Sequence, residues 1–220
     1  VLFGIASFDG YDGGVQISSR WALTMNRFTS SPTYDLPLRN SVAFPLPTDQ
    51  LARLGVRYAL IDNQYDMSVV APDWVGPKIS DDLFSVWENP LWIGSATAWF
   101  NTRNVKGIPA DVLRNELAEL DTTALVEDSN VDLSCTTNCD ALPVTFSRLT
   151  PEHLFGEVDL EQPALVSLHQ QALPGWDVQV DGKVADVVEV DGIFLGVVVP
   201  SGQHDIEWRY RPTWLTWSKW

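Results

Sequence analysis

Basic residues are scarce in this chain. Against 29 Asp and Glu stand only 14 Lys and Arg, a formal charge of −15 over 220 residues. Nucleic-acid binding needs a basic footprint that displaces counterions, so the balance argues against DNA or RNA as partner. It argues equally against a polybasic face for anionic lipid. Long apolar runs are also missing: no window reaches the ~18 apolar residues of a membrane-spanning helix. No basic stretch precedes the apolar run at Val1, so no signal peptide is read. Taken alone, the chain is expected to be soluble, and its ends suggest a piece of something larger. Histidine is limited to His153, His169 and His204, which are scattered. Neither a His-Glu-x-x-His helix nor a Gly-x-Ser-x-Gly elbow is present, so neither a metallopeptidase nor a serine hydrolase is supported. No phosphate loop or dinucleotide fingerprint occurs, and no cofactor is expected.

Cysteine is reduced to Cys135 and Cys139, in Leu133-Ser-Cys-Thr-Thr-Asn-Cys-Asp140. The spacing fits neither a Cys-x-x-Cys redox motif nor a paired zinc knuckle, and no second Cys or His pair lies nearby. The two can close a short disulfide loop in an oxidising compartment, or stay as thiols. Asp9 and Asp12, among glycines, resemble a cation loop, yet the alternating ligands and the later Glu of a calcium site are missing. No metal site is expected.

What is abundant is apolar and aromatic surface. Hydrophobic residues make up 45% of the chain and tryptophan occurs ten times. That suits a folded core, with sugar stacking or a membrane interface as the other uses of Trp. Val1 to Phe8 reads as a strand entering a glycine turn, Val15 to Phe28 as a possible helix, and Ser30 to Pro47, with four prolines, as an ordered loop. Asp49 to Leu54 reads as a short helix stopped by Gly55, and Val56 to Ile61 as a strand. A Pro/Gly-rich stretch covers Ala71 to Pro77; Leu83 to Trp87 and Ser95 to Phe100 read as strands. The clearest helix is Pro109 to Leu120, with Leu113, Leu117 and Leu120 on one face.

After Pro143 the pattern changes. Val144–Leu149, Leu154–Leu160, Ala164–Ala172, Asp177–Asp181, Val184–Val190, Ile193–Val199 and Asp205–Arg211 read as successive strands. Asp181-Gly182, Asp191-Gly192 and Ser201-Gly202 separate them at hairpin spacing. In the last strand Ile206, Trp208 and Tyr210 alternate with Asp205, Glu207, Arg209 and Arg211. These features predict a β-sandwich. The fold class expected is therefore α+β: a mixed α/β subdomain over 1–142, an antiparallel β-sandwich over 143–212, and a terminal segment over 213–220. In that segment Trp214, Trp217 and Trp220 recur every third residue. The spacing suits either a membrane interface or a terminal helix docked on the core.

The stretch Ala172-Leu-Pro-Gly-Trp-Asp-Val-Gln-Val-Asp-Gly-Lys183 resembles a Pro-Gly-Trp and Val-Asp-Gly-Lys signature of YfhO-type bacterial multi-pass membrane proteins. Gly192-Ile-Phe-Leu-Gly-Val-Val-Val-Pro-Ser-Gly-Gln-His204 and Ile206-Glu-Trp-Arg-Tyr-Arg-Pro212 continue the likeness. Upstream, Leu54-Gly-Val-Arg-Tyr-Ala-Leu-Ile61, Val86-Trp-Glu-Asn-Pro90 and Gly10-Tyr-Asp12 fall in the same order. Leu173 departs from the pattern, in which an aromatic residue commonly precedes Pro-Gly-Trp. The resemblance implies a domain on the extracytoplasmic face of the bacterial cell membrane, partnered by its own transmembrane region. It also implies kinship with GT-C glycosyltransferases, which use lipid-linked sugars to build the cell envelope. Catalysis in those enzymes belongs to an early loop beside the membrane, so this stretch is expected to be non-catalytic.

In that setting a Cys135–Cys139 disulfide becomes the favoured state, and Trp214, Trp217 and Trp220 a juxtamembrane segment. The expected role is to bind or orient an envelope glycan acceptor, or a partner, with Trp74, Trp92 and Trp99 as candidate sugar-stacking platforms. Two other readings stand beside it: a stand-alone carbohydrate-active enzyme or lectin-like module, and a purely structural domain that stabilises the membrane core. The many carboxylates, Asp62 and Glu88 among them, cannot be paired across a cleft from sequence. The Pro174-Gly175-Trp176 turn reads as structural, with Trp176 filling the sandwich core.

Overall fold

The computed structural model describes residues 48–70, 72–108, 122–128, 130–136, 138–150 and 152–212. The strand, helix and loop expected before residue 48, the Asp9/Asp12 loop, the helix expected over 109–120 and the tryptophans at 214, 217 and 220 lie outside these residues. The chain divides into two compact units, Val1–Trp92 and Ile93–Trp220.

In the first unit, helix α1 (Thr48–Arg53) ends where Gly55 takes a positive φ of 75°, a conformation that costs glycine nothing. Strand β1 (Tyr58–Asp62) follows, then the single turn α2 (Met67–Val70). Strands β2 (Val75–Ser80) and β3 (Phe84–Glu88) complete a three-stranded antiparallel sheet in the order β1-β3-β2. β2 begins inside the Pro/Gly-rich stretch Ala71 to Pro77. It is an edge strand, where a residue without an N–H can sit at little cost.

The second unit contains two sheets. The larger runs β5-β6-β13-β14-β10-β4-β7: β4 (Ala96–Trp99), β5 (Asn101–Asn104), β6 (Thr123–Val126), β7 (Leu142–Val144), β10 (Ala164–Gln171), β13 (Val188–Val190) and β14 (Phe194–Val199). The smaller runs β12-β11-β15-β9-β8: β8 (Ser147–Thr150), β9 (His153–Leu160), β11 (Trp176–Val180), β12 (Lys183–Ala185) and β15 (Gly202–Tyr210). Their inner faces share one core, in which Leu154, Val158, Val178, Ile206 and Trp208 of the smaller sheet meet Ala98, Val166, Leu195 and Val197 of the larger. β10 is buried continuously rather than alternately from Ala164 to Leu168. Thr97, Leu165, Ser167 and Val190 are at most 1% exposed, so both faces of the larger sheet's centre are covered.

The expected α+β class is corrected. Among the described residues, fifteen strands are accompanied by only two helices of six and four residues. Local helical patterns that short cannot bury an apolar stripe, and the β-branched and aromatic segments between them pair instead. The larger sheet also draws strands from both sides of residue 143, because β4 pairs with both β7 and β10. The segment Val184–Val190, expected as one strand, is two. β12 belongs to the smaller sheet and β13 to the larger, so the chain changes sheets at Asp186 and Val187.

Candidate functional site

The outer face of the five-stranded sheet gathers most of the unit's polar chemistry. Along β9, Leu154, Val158 and Leu160 point into the core while Glu157 and Asp159 are exposed. Along β15 the same alternation leaves Gln203, Asp205, Glu207 and Arg209 on the outer face. The register sets Asp205 opposite Glu157 and Gln203 opposite Asp159. Directly opposed carboxylates on one face repel, so this pairing works against sheet stability. Gln203 donates from Nε2 to Asp159 Oδ2 at 3.2 Å, which relieves the second row only.

Asp181 stands at the edge of this sheet, where it meets the backbone of Asp205 and the side chain of His204, which alternates with the outer-face residues of β15. It leads the turn between β11 and β12 with φ 52°, and Gly182 follows with φ 72°, as a two-residue hairpin with primed twist demands. The Asp181 carboxylate accepts the Asp205 backbone N–H at 3.0 Å through Oδ1 and meets His204 Nδ1 at 2.7 Å through Oδ2. His204 Nε2 lies 3.3 Å from the Ser201 carbonyl oxygen. Both ring nitrogens thus face oxygens that only accept, and the imidazolium is the form that can donate to both. The hydrogen bond to Asp181 accordingly raises the His204 pKa above 6.5. The same bond, with the Asp205 N–H, holds the Asp181 carboxyl below 3.8.

A depression of about 370 Å³ opens here, lined by Glu157, Val158, Asp159, Asp181, Gln203, His204 and Asp205. Among the described residues, no group of three or more His, Cys, Asp or Glu side chains is arranged to hold a metal ion. The site instead offers fixed hydrogen-bond acceptors beside an imidazole whose two nitrogens both face acceptor oxygens. Farther along the same face, His153 and Arg209 both contact Glu207 Oε1. Burial pushes Glu207 up, but the bonds from Arg209 and His153 outweigh it and leave its carboxyl below the ordinary value.

The linkage gives this turn a defined pH window. Asp181 is depressed when folded, so its contribution is present above 3.8 and lost as pH falls through its folded value. His204 is raised, so its contribution is full below 6.5 and lost as pH rises through its folded value. Hydrogen exchange at the Asp205 amide, normalised for intrinsic rate, is expected to be slowest between about pH 4 and 6.5 and to speed up on either side. In His204→Gln the alkaline loss should vanish and the acid loss remain.

The sequence-based stacking platforms do not assemble here. Trp74 and Trp99 are 5% and 2% exposed, so both are core residues and neither offers a ring face to a sugar. Large apolar rings on strand or near-strand positions are drawn into whichever face is covered, and local sequence does not say which that is. Trp92 is half-buried, and the Arg57 guanidinium lies 4.4 Å from its ring centroid. Trp176 packs against the sandwich core with its ring 5.1 Å from that of Tyr210. His169 sits 3.2 Å from the Gly94 carbonyl and 3.4 Å from Thr97 Oγ1. Cys135 and Cys139 are joined as a disulfide, with Cα atoms 5.6 Å apart.

The partnership of His204 with Asp181 spans 23 positions and depends on β11 pairing with β15, for which no local signal exists. Exposed acids alternating with core residues at Glu157 and Asp159 were a signal for an outward acidic face, though not for what faces them.

No family model and no curated protein matches the chain. Among solved structures, two cryo-EM structures of the arabinofuranosyltransferase AftD from Mycobacteria are similar over part of it. One, of an arginine-to-serine mutant, aligns with a TM-score of 0.30 and 18% identity over 36% of this chain and 7% of that one. The other aligns with a TM-score of 0.29 and 17% identity over 36% and 6%. The aligned stretch is thus a small fraction of the AftD chain.

Proposed function

We propose that this chain is a non-catalytic, extracytoplasmic recognition domain of a membrane-bound envelope glycosyltransferase, and that it binds the glycan acceptor on the outer face of its five-stranded sheet. The observation that carries this reading is the depression around Asp181. Sugar hydroxyls are hydrogen-bond donors, and an ionised carboxylate oriented by His204 and the Asp205 N–H is a preorganised acceptor for them. The opposed pair Glu157 and Asp205 adds further acceptors on the outer face of the sheet. A carboxyl held below its ordinary value is poorly suited to act as a general acid, which favours binding over glycoside hydrolysis.

Two further features support the setting. The residue matches around Pro174-Gly175-Trp176 and Ile206–Pro212 resemble YfhO-type membrane proteins, whose soluble portions face outward. The Cys135–Cys139 disulfide suits an oxidising compartment.

The test is a glycan-array and lipid-linked-sugar screen on the purified chain, followed by titration of any hit against Asp181→Asn and Glu157→Gln. Saturable binding that weakens by about tenfold in either variant is expected. Binding indifferent to both variants would move the site elsewhere. Silence across the screen would favour the purely structural reading.

A further inference from the structure

A second cluster of polar chemistry lies in the first unit. Arg57, just before β1, and Lys78, on β2, come from the two outer strands of the three-stranded sheet and converge on Glu88 of the central strand. Arg57 Nε is 3.0 Å from Glu88 Oε1, and Lys78 Nζ is 3.0 Å from Oε2. The two cations therefore stand no farther apart than one carboxylate and two hydrogen bonds allow. Lys78 first and Arg57 second hold the Glu88 carboxyl below its ordinary value.

The guanidinium is fixed by more than this ion pair. It lies 4.8 Å from the Tyr58 ring centroid and 4.4 Å from that of Trp92. With Nε engaged by Glu88 and two aromatic rings packed against the group, its rotamer is set before any ligand arrives. Among the described residues, neither Nη group has a hydrogen-bond acceptor. Tyr58 and Val75, both opposite Glu88 in the register, are 48% and 49% exposed and border the cluster with apolar surface.

An exposed ion pair contributes little to folding, and one cation suffices to make it. Here two cations share a single carboxylate, which leaves a local excess of positive charge on a chain that carries −15 overall. Low-dielectric aromatic surface beside them strengthens their attraction for an incoming anion.

We infer that Arg57 and Lys78 form a binding site for a small oxyanion, a carboxylate or a phosphate monoester, which bridges the two cations beside Glu88 and rests its carrier on Tyr58 and Val75. The site is independent of the acceptor groove, because it lies in the other unit and uses none of the same residues. An acidic substituent on an envelope glycan has this chemistry, as does a sugar phosphate. The two sources are separated by the ligand arms of the test.

The experiment is an NMR titration of the full chain, following the Arg57 Nε–H and the Trp92 indole N–H. Glucuronic acid and glucose 1-phosphate are the charged probes, with uncharged methyl glucoside as control. Saturable shifts with one or both anions, weakened by added NaCl and missing with methyl glucoside, are the expected result. Arg57→Gln and Lys78→Gln should each weaken binding, Arg57→Gln by about tenfold. Glu88→Gln should tighten it several-fold, a gain that misfolding cannot imitate. Lys183→Gln, in the other unit, should leave it unchanged. A stronger response to glucuronic acid would name the carboxylate, and to glucose 1-phosphate the phosphate. Equal affinity in wild type and Arg57→Gln, or no saturable shift with either anion in wild type and in Glu88→Gln, would overturn the site.

Discussion

Trp208→Ala is expected to destabilise the second unit by about 3–5 kcal/mol, enough to leave a domain of ordinary stability marginally folded. Trp208 has no exposed surface and lies on β15, the strand that holds β9 on one side and β11 on the other. Its ring belongs to the core shared by the two sheets, alongside Ile206, Val178 and Leu154. Truncation removes the transfer energy of an indole and leaves a void at the centre of the smaller sheet, where three paired strands cannot collapse independently. Trp208→Phe should cost much less, because most of the volume stays and the indole N–H, which meets no acceptor among the described residues, is removed with the second ring. Urea denaturation with a readout confined to the second unit decides the matter. A loss under ~1 kcal/mol for the Ala variant would mean that the two sheets do not share one core.

Gly175→Ala comes next in size, at about 2–4 kcal/mol. Two costs coincide at this residue. Its φ is +109°, outside the left-handed region that even Asn tolerates, so any side chain there is strained. A Cβ would also sit 2.7 Å from Pro212 Cα and 2.9 Å from Pro212 N, which are backbone atoms that cannot swing aside. The close approach has a purpose, since the Gly175 carbonyl accepts the Arg211 N–H at 2.6 Å and ties the start of β11 to the end of β15. Gly182→Ala is the internal control. Its φ of 72° is left-handed, but nothing lies within 4 Å of a Cβ there, so a loss of only about 1 kcal/mol is expected. Equal losses at the two glycines, measured by denaturant midpoint, would show that conformational strain alone accounts for Gly175.

Asp181-Gly182 and Asp191-Gly192 were legible as turns because only a few residue types accept positive φ. Both Asp residues do adopt it, at 52° and 53°. The alternation from Asp205 to Tyr210 was legible for a similar reason: the side-chain period of a strand is two, and Ile206 and Trp208 are both fully buried. Gly55 stopped a helix where expected. Less was legible around Asn101–Asn104, a polar run with no strand pattern that nonetheless pairs in parallel with Thr123–Val126. Thr102 and Asn101 lend their side chains to Leu133 N and Cys135 N, so that strand is held by partners about thirty positions away.

What the sequence determined by itself is therefore local. It set the turn positions, the inward and outward faces of β9 and β15, the acidic character of the outer surface and the pair of cysteines able to meet. Each of these depends on φ preferences, period or spacing, which act over a few residues. Which sheet a strand joins was decided only by tertiary structure, as at Asp186 and Val187, where one apolar run is divided between two sheets. So was the fate of Trp74 and Trp99, since burial depends on what covers a face and not on the residue that points to it. The meetings of His204 with Asp181 and of Arg57 and Lys78 with Glu88 belong to the same class. They arise from strand register across 23, 31 and 10 positions, which is fixed when a core forms and has no imprint in any segment read alone.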